Sequence, residues 1–504
     1  MTHEVVVVGA GVGGLTCAAL LAARGVDVCV LERESQGGGC ARAFDAFGYS
    51  FETTAGLYAG WGAEEIHARI FAELPVAQPE ARRLAPAYLV RLPDSTEVRV
   101  GGAGEESVEA FEATLRSAFP ECADAAVNFY RELAPVASAL QRAAQRAPGL
   151  ATLTKFQRMK LLATDARLAS RILASQQHTA AQHLANASIR FRRFIDAQLQ
   201  IFAGCASDEC AYLYAAVALD LPRRGLYALG GGASALTRAL TESIKQSGGT
   251  VRFDATALRL AFDAGASPRT AGVTLLSGET VRATRAVVSN LTVWDTYGKL
   301  VGLTRTPDDL RERLKHARGW GAYLLYLGAD DEAVRRLPAE RILALDSWQE
   351  NETYDPARAQ FMFSASPAGD ARAPMGKRAV TVSLYTGADE WFAYHTDESE
   401  HEAQDQRMLE ACWTRLHAAL PELGAGAEVI ETATPRTFYE QTRRKLGMVG
   451  GLPQTLQHSG ANAFTHRTPF ANLYLVGDTT FPGNGLAAVT QSALIAANEI
   501  APRK

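Results

Sequence analysis

The chain opens on a β-branched run, Val5-Val6-Val7-Val8, of the kind that makes a strand buried on both faces. No residue from Val5 to Ala23 is charged, which is long enough to count as a membrane span by length alone. Four glycines, Gly9, Gly11, Gly13 and Gly14, break the run, and Thr2, His3 and Glu4 before it offer no basic start for a secretory leader. The pattern instead predicts a strand, a glycine turn and a helix over Leu15–Ala23, closed by Arg24-Gly25. A second strand, Val26–Leu31, follows and stops at Glu32. Further along, the stretch from Val108 to Phe202 reads as helical, whereas Ala322–Leu327 and Val380–Tyr385 read as strands. Near the other end, Asn472–Val476 predicts a strand, then Gly477-Asp478, then an apolar helix from Leu486 to about residue 500. No repeat or low-complexity linker interrupts this order.

Composition narrows the class. The 504 residues suit two or three domain-sized units, and with 47% hydrophobic and 21% charged residues the chain is of ordinary globular type. Lys+Arg 51 against Asp+Glu 55 gives −4, too balanced for a nucleic-acid-binding surface. The seven cysteines form no CxxC pair and have no ligating histidines beside them, so reduced thiols are expected and no metal site. Three N-x-[ST] matches, at Asn186, Asn290 and Asn351, are of chance frequency.

The glycine turn carries the chemistry. Gly9, Gly11 and Gly14 fit G-x-G-x-x-G between a strand and a helix. Gly9 permits the tight turn, Gly11 lets backbone approach a pyrophosphate, and Gly14 lets helix and strand pack closely. The helix N-terminus favours the phosphates, and Glu32 stands where a carboxylate accepts from a ribose diol. The unit therefore predicts dinucleotide binding through Gly9, Gly11, Gly13, Gly14 and Glu32. A second strand–Gly-Asp–helix unit at Leu473–Leu486 is superfluous for a nicotinamide enzyme. It suits FAD, whose ribityl hydroxyls an acid can hold and whose ring a helix N-terminus can face. The glycines at 230–232 are followed by no acid-terminated βαβ unit, so no NAD(P)-binding domain is expected.

Together these segments resemble the FAD-containing amine oxidase superfamily over nearly the whole chain, and within it the carotenoid desaturase, carotene isomerase and retinol saturase branch. Leu229–Leu236, Gly248-Gly249-Thr250-Val251, Val287–Asn290 and Phe481-Pro482-Gly483 with Gly485 carry that likeness. Arg193–Leu199, Leu213–Ala216, Gly450–Gln454 and Arg467-Thr468-Pro469 are similar to bacterial carotenoid 3′,4′-desaturases. Three positions depart: Cys40 stands where many phytoene desaturases have Arg, Thr54 where Gly is usual, and Phe481 where desaturases often have His. The resemblance implies an α/β fold: a Rossmann-like FAD-binding domain from 1–65, 225–295 and 435–504, with an inserted α+β substrate domain from 66–224, mainly helical, and 296–434, strand-rich. It adds Arg33, Gly38, Gly39, Thr54, Ala257, Gly477, Asp478, Gly485, Leu486, Ala487 and Val489 to the expected cofactor contacts. No catalytic residue is assigned; Tyr58, Trp61 and His67 read as ring packing or satisfied polar groups.

The implied activity is carotenoid desaturation, with a hydride passing to the flavin and electrons leaving to oxygen or a quinone. Alternatives are a reduced-flavin isomerase or a retinol-saturase-like reductase, an amine or porphyrinogen oxidase, and a non-enzymatic isoprenoid binder of the same fold. Between Arg142 and Arg193, ten cations (Arg142, Arg146, Lys155, Arg158, Lys160, Arg167, Arg171, Arg190, Arg192, Arg193) face one acid, Asp165. Interleaved with Leu150, Leu153, Phe156, Met159, Leu161, Leu162 and Leu168, they suggest a surface that rests on anionic lipid. A cytoplasmic, peripherally membrane-associated enzyme is the expectation.

Overall fold

The computed structural model describes residues 1–101, 108–146, 166–263, 269–393 and 397–503. Three cations of the basic run, Lys155, Arg158 and Lys160, lie outside the described residues, as do Leu150, Leu153, Phe156, Met159, Leu161 and Leu162.

Two seven-stranded sheets organise the molecule. In the first, β1 (Thr2–Val8) lies between β2 (Val28–Leu31) and the strand Thr280–Ser289, parallel to both. Thr250–Arg252 extends the sheet beyond β2, Leu473–Leu475 pairs with Thr280–Ser289, and the strands Ala257–Phe262 and Thr270–Leu275 complete it. Its strands thus come from three separated stretches of chain.

The uncharged run is explained by burial. Helix α1 (Val12–Ala23) has Val12 through Ala22 all buried, packed between the C-terminal helix Leu486–Ile500 and the helix Ala233–Gln246. A helix that is apolar all round belongs inside, and here it is inside protein. Among the described residues no helix is long and apolar enough to cross a membrane.

The second sheet runs, in order, Ala427–Ala433, Gly321–Asp330, Lys377–Thr386, Gln360–Ala365, Arg341–Leu345, Tyr88–Arg91 and Glu97–Val100. Its last two strands come from the stretch 66–224, which also holds the short strand Ala81–Arg83 and the helices Val108–Ala118, Ala123–Arg146 and Ile189–Ala203. The two insertions therefore share one sheet instead of folding apart. The hairpin Ala43–Glu52 packs onto it, with Phe44 and Phe51 against Tyr326 at 5.2 and 5.1 Å between ring centroids.

A buried charge cluster joins the two halves. Glu52 accepts from the Tyr58 hydroxyl, from Ala233 N at 3.1 Å and from Arg372 Nη1 at 2.8 Å. The glycine turn at 230–232 thus ends in a helix N-terminus already capped by a carboxylate.

Candidate functional site

The parallel register sets Val8 beside both Leu31 and Ser289, so three strand ends open on one spot. There the chain turns at Gly9, whose φ of +95° lies in the region that glycine tolerates. A methyl on Gly14 would sit 2.1 Å from the Gly9 carbonyl oxygen; one on Gly11 would sit 2.6 Å from Asn290 Nδ2. The backbone is bare where Asn290 leans across it, a cradle any side chain would fill. Gly11 caps α1 without a side-chain bond, and the first turn holds no acid, leaving its N–H groups and positive dipole end for an anion.

Glu32, at the end of β2, accepts from Ala10 N at 2.6 Å through Oε2 and from Glu34 N at 2.9 Å through Oε1. A carboxylate offers about four acceptor sites, so capacity for a ribose diol remains. Opposite, Gly477 (φ +116°) lies with its Cα 3.3 Å from where a Gly13 methyl would be, and Gly485 begins the C-terminal helix without a side-chain cap. Gly38 N donates to the Ala10 carbonyl at 2.8 Å, folding the 37–39 turn over the first. Thr54 Oγ1 lies 2.9 Å from the Tyr58 hydroxyl.

All the expected cofactor residues except Gly14 (Gly9, Gly11, Gly13, Glu32, Arg33, Gly38, Gly39, Thr54, Ala257, Gly477, Asp478, Gly485, Leu486, Ala487, Val489) line one cavity of about 1100 Å³. Gly14 sits behind it, in the helix–turn contact. The volume is at the upper end of ordinary ligand pockets, about 300–1000 Å³. From the glycine turns the cavity continues to an apolar wall built by Ile201, Phe202, Val217, Leu221, Met362 and Leu384. Tyr214 and Tyr385 share that wall; they donate to Asn484 Oδ1 at 3.0 Å and to the Gln200 carbonyl at 2.9 Å, and burial raises both phenol pKa values. Both are neutral hydroxyls at physiological pH.

Trp61 and His67 do not reach the cavity; they stack on each other at 4.2 Å, and burial lowers His67 to about 3. Among the described residues no cluster of His, Cys, Asp and Glu is placed to hold a metal, and all seven cysteines are free.

Two cavity residues escaped the sequence reading. Asn290 had a signal: a strand end parallel to β1 must hang over the same turn. Arg444 had none. It sits in the loop after the helix Pro435–Thr442, donating from Nη2 to Asp478 Oδ2 at 2.9 Å and from Nε to the Met448 carbonyl at 2.7 Å.

A family model described as flavin containing amine oxidoreductase matches residues 12–501. The chain belongs to that family. Like other flavin-containing amine oxidoreductases it is an FAD-dependent oxidoreductase, and the glycine cradle, the Glu32 carboxylate and the Gly477-Asp478 turn suit that cofactor. Chloroplastic prolycopene isomerase of Arabidopsis thaliana is 23% identical over 99% of this chain and 82% of its own. The 4,4′-diapophytoene desaturase (4,4′-diapolycopene-forming) of Methylomonas sp is 24% identical over 100% of this chain and 96% of its own. Among solved structures, wild-type putrescine oxidase bound to putrescine superposes with a TM-score of 0.64 at 14% identity, each chain covered to 100%, a likeness of fold.

Proposed function

We propose that this oxidoreductase acts on an apolar polyene, as a carotenoid desaturase that converts C–C to C=C. The observation that carries the reading is the continuity of one cavity from the glycine cradle to a wall of Ile201, Phe202, Val217, Leu221, Met362 and Leu384. These six side chains offer an acyclic hydrocarbon no polar group to desolvate. FAD, which Gly9, Gly11, Glu32 and Asp478 would hold, would supply the hydride acceptor, with the proton passing to water or a base. The chain's own part is to exclude water from the apolar section and hold a long substrate in line with the cofactor. In this reading residues 1–65, 225–295 and 435–504 hold the cofactor, and 66–224 with 296–434 hold the substrate. The enzyme works in the cytoplasm against a membrane surface, and its electrons pass to oxygen or a quinone.

The second reading is a reduced-flavin isomerase or saturase, favoured by the full-length likeness to prolycopene isomerase and by the Phe481-Pro482-Gly483 turn. One experiment separates them. Anaerobic, flavin-loaded protein is mixed with acyclic carotenoids in liposomes while flavin absorption is followed. Bleaching with a lengthened polyene chromophore is the expected result. Turnover seen only after the flavin is chemically reduced would move the enzyme to the second reading; no turnover in either state would remove polyenes as substrates.

A further inference from the structure

A ring of residues surrounds the N-terminus of α1. Gly11 Cα lies 3.5 Å from where a Gly39 methyl would be, and the neighbouring Cys40 lines the same cavity as Arg444. Arg444 pairs with Asp478 at 2.9 Å, and Gly477 Cα lies 3.3 Å from where a Gly13 methyl would be. Arg444 is the one cation in this ring. Of the other cations lining the cavity, Arg33 pairs with Glu34 and donates to the Glu440 and Gln441 carbonyls, Arg42 lies 3.5 Å from Glu34, Arg224 pairs with Glu65, Lys299 pairs with Asp295, and Arg443 lies over the Tyr439 ring.

The loop that carries Arg444 is held against its preferences. Arg443 and Leu446 have φ of +54° and +51°, and a methyl on Gly451 would lie 2.2 Å from the Asp478 carbonyl oxygen. Left-handed non-glycine residues persist where surrounding structure over-determines them, and they concentrate at functional sites. The loop presses a guanidinium onto the rim of a helix N-terminus that is otherwise furnished only with backbone N–H groups, beside a small thiol that leaves it room.

We propose that Arg444 supplies the side-chain counter-charge for the pyrophosphate of FAD, bridging it to Asp478. A guanidinium offers five donors in a fixed fork, of which Asp478 and Met448 take two, and the rest suit a phosphate. The inference rests on FAD binding and is independent of the polyene reading.

The test uses full-length apoprotein and three probes: FAD, ADP (the pyrophosphate without a flavin) and riboflavin (the flavin without phosphate). Arg444→Gln is expected to weaken FAD and ADP about 10- to 100-fold, the range of a lost charge-assisted hydrogen bond, with riboflavin changed less than about twofold. Unchanged ADP affinity, or equal losses for ADP and riboflavin, would overturn it. Should Arg444→Gln not fold, Arg444→Lys decides by the same comparison. It keeps the charge without the fork, so a loss of about 3- to 10-fold confined to FAD and ADP is expected.

Discussion

Gly11 and Gly14 share one motif, yet an added methyl meets different obstacles at each. At Gly11 it meets the amide end of Asn290, which can turn aside; at Gly14 it meets the Gly9 carbonyl, part of the turn itself. Gly11→Ala is therefore expected to fold at a cost below about 1 kcal/mol, with FAD affinity falling because the backbone no longer approaches the phosphates. Gly14→Ala should lose about 3 kcal/mol, the upper end for overpacking. Chemical denaturation of the two apoproteins, set beside flavin titration, checks the contrast. At this scale the sequence was informative wherever a contact is local: Gly9 to Glu32 span one strand–helix–strand unit, and their spacing encodes their roles. Asn290 meets Gly9 across 281 residues and is legible only through the strand pairing, whereas Arg444 meets Met448 and Asp478 4 and 34 residues on, from a loop with no periodic pattern. Nothing near Arg444 in sequence distinguishes it from the chain's other arginines.

Among the elements, the join between the two sheets depends on Glu52. It caps the helix Ala233–Gln246 and neutralises the buried Arg372, which Asp370 also contacts at 3.0 Å. Glu52→Gln keeps the shape and removes the charge, leaving Arg372 with one carboxylate and the buried Arg341 nearby with less compensation. The expected loss is about 3 kcal/mol, since a broken buried pair strands its partner; thermal unfolding of the apoprotein reads it. Strands such as Val5–Val8, Ala322–Leu327 and Val380–Tyr385 were legible because their apolar runs are long. Tyr88–Arg91 was not foreseen as part of the second sheet. Its parallel partner, Arg341–Leu345, lies some 250 residues on, and four residues carry little periodicity of their own.

For the whole molecule, the question is how an apolar substrate reaches the cavity. Gln141 and Ala144, near the end of the helix Ala123–Arg146, line it together with Leu221, Arg224 and Glu65, and the basic run continues from that helix in sequence. Four of its ten cations serve other ends. Arg171 lies 3.9 Å from Glu132. Arg190 pairs with Asp94 and Glu121, Arg192 donates to the Ala185 and Ala187 carbonyls, and Arg193 is buried against Asp196 and the Trp348 and Gln349 carbonyls. Fewer cations are therefore free for the proposed lipid contact than the sequence count suggests. Reversing Arg158, Lys160 and Arg167 to Glu is expected to reduce co-sedimentation with anionic vesicles, at about 1 kcal/mol per cation removed near the surface, while flavin content stays constant. Equal partitioning of the variant would reject lipid contact through this segment.

The burial of α1 has a consequence for biogenesis. Its outer face is covered by the helix Leu486–Ile500, and the cavity beside it is walled by Gly477 and Asp478, some 460 residues later in the chain. At about 5–20 residues per second on the ribosome, the N-terminal unit spends roughly half a minute or longer with a greasy helix uncovered and half a cofactor site. Flavin loading is therefore expected only after the C-terminal unit has been made.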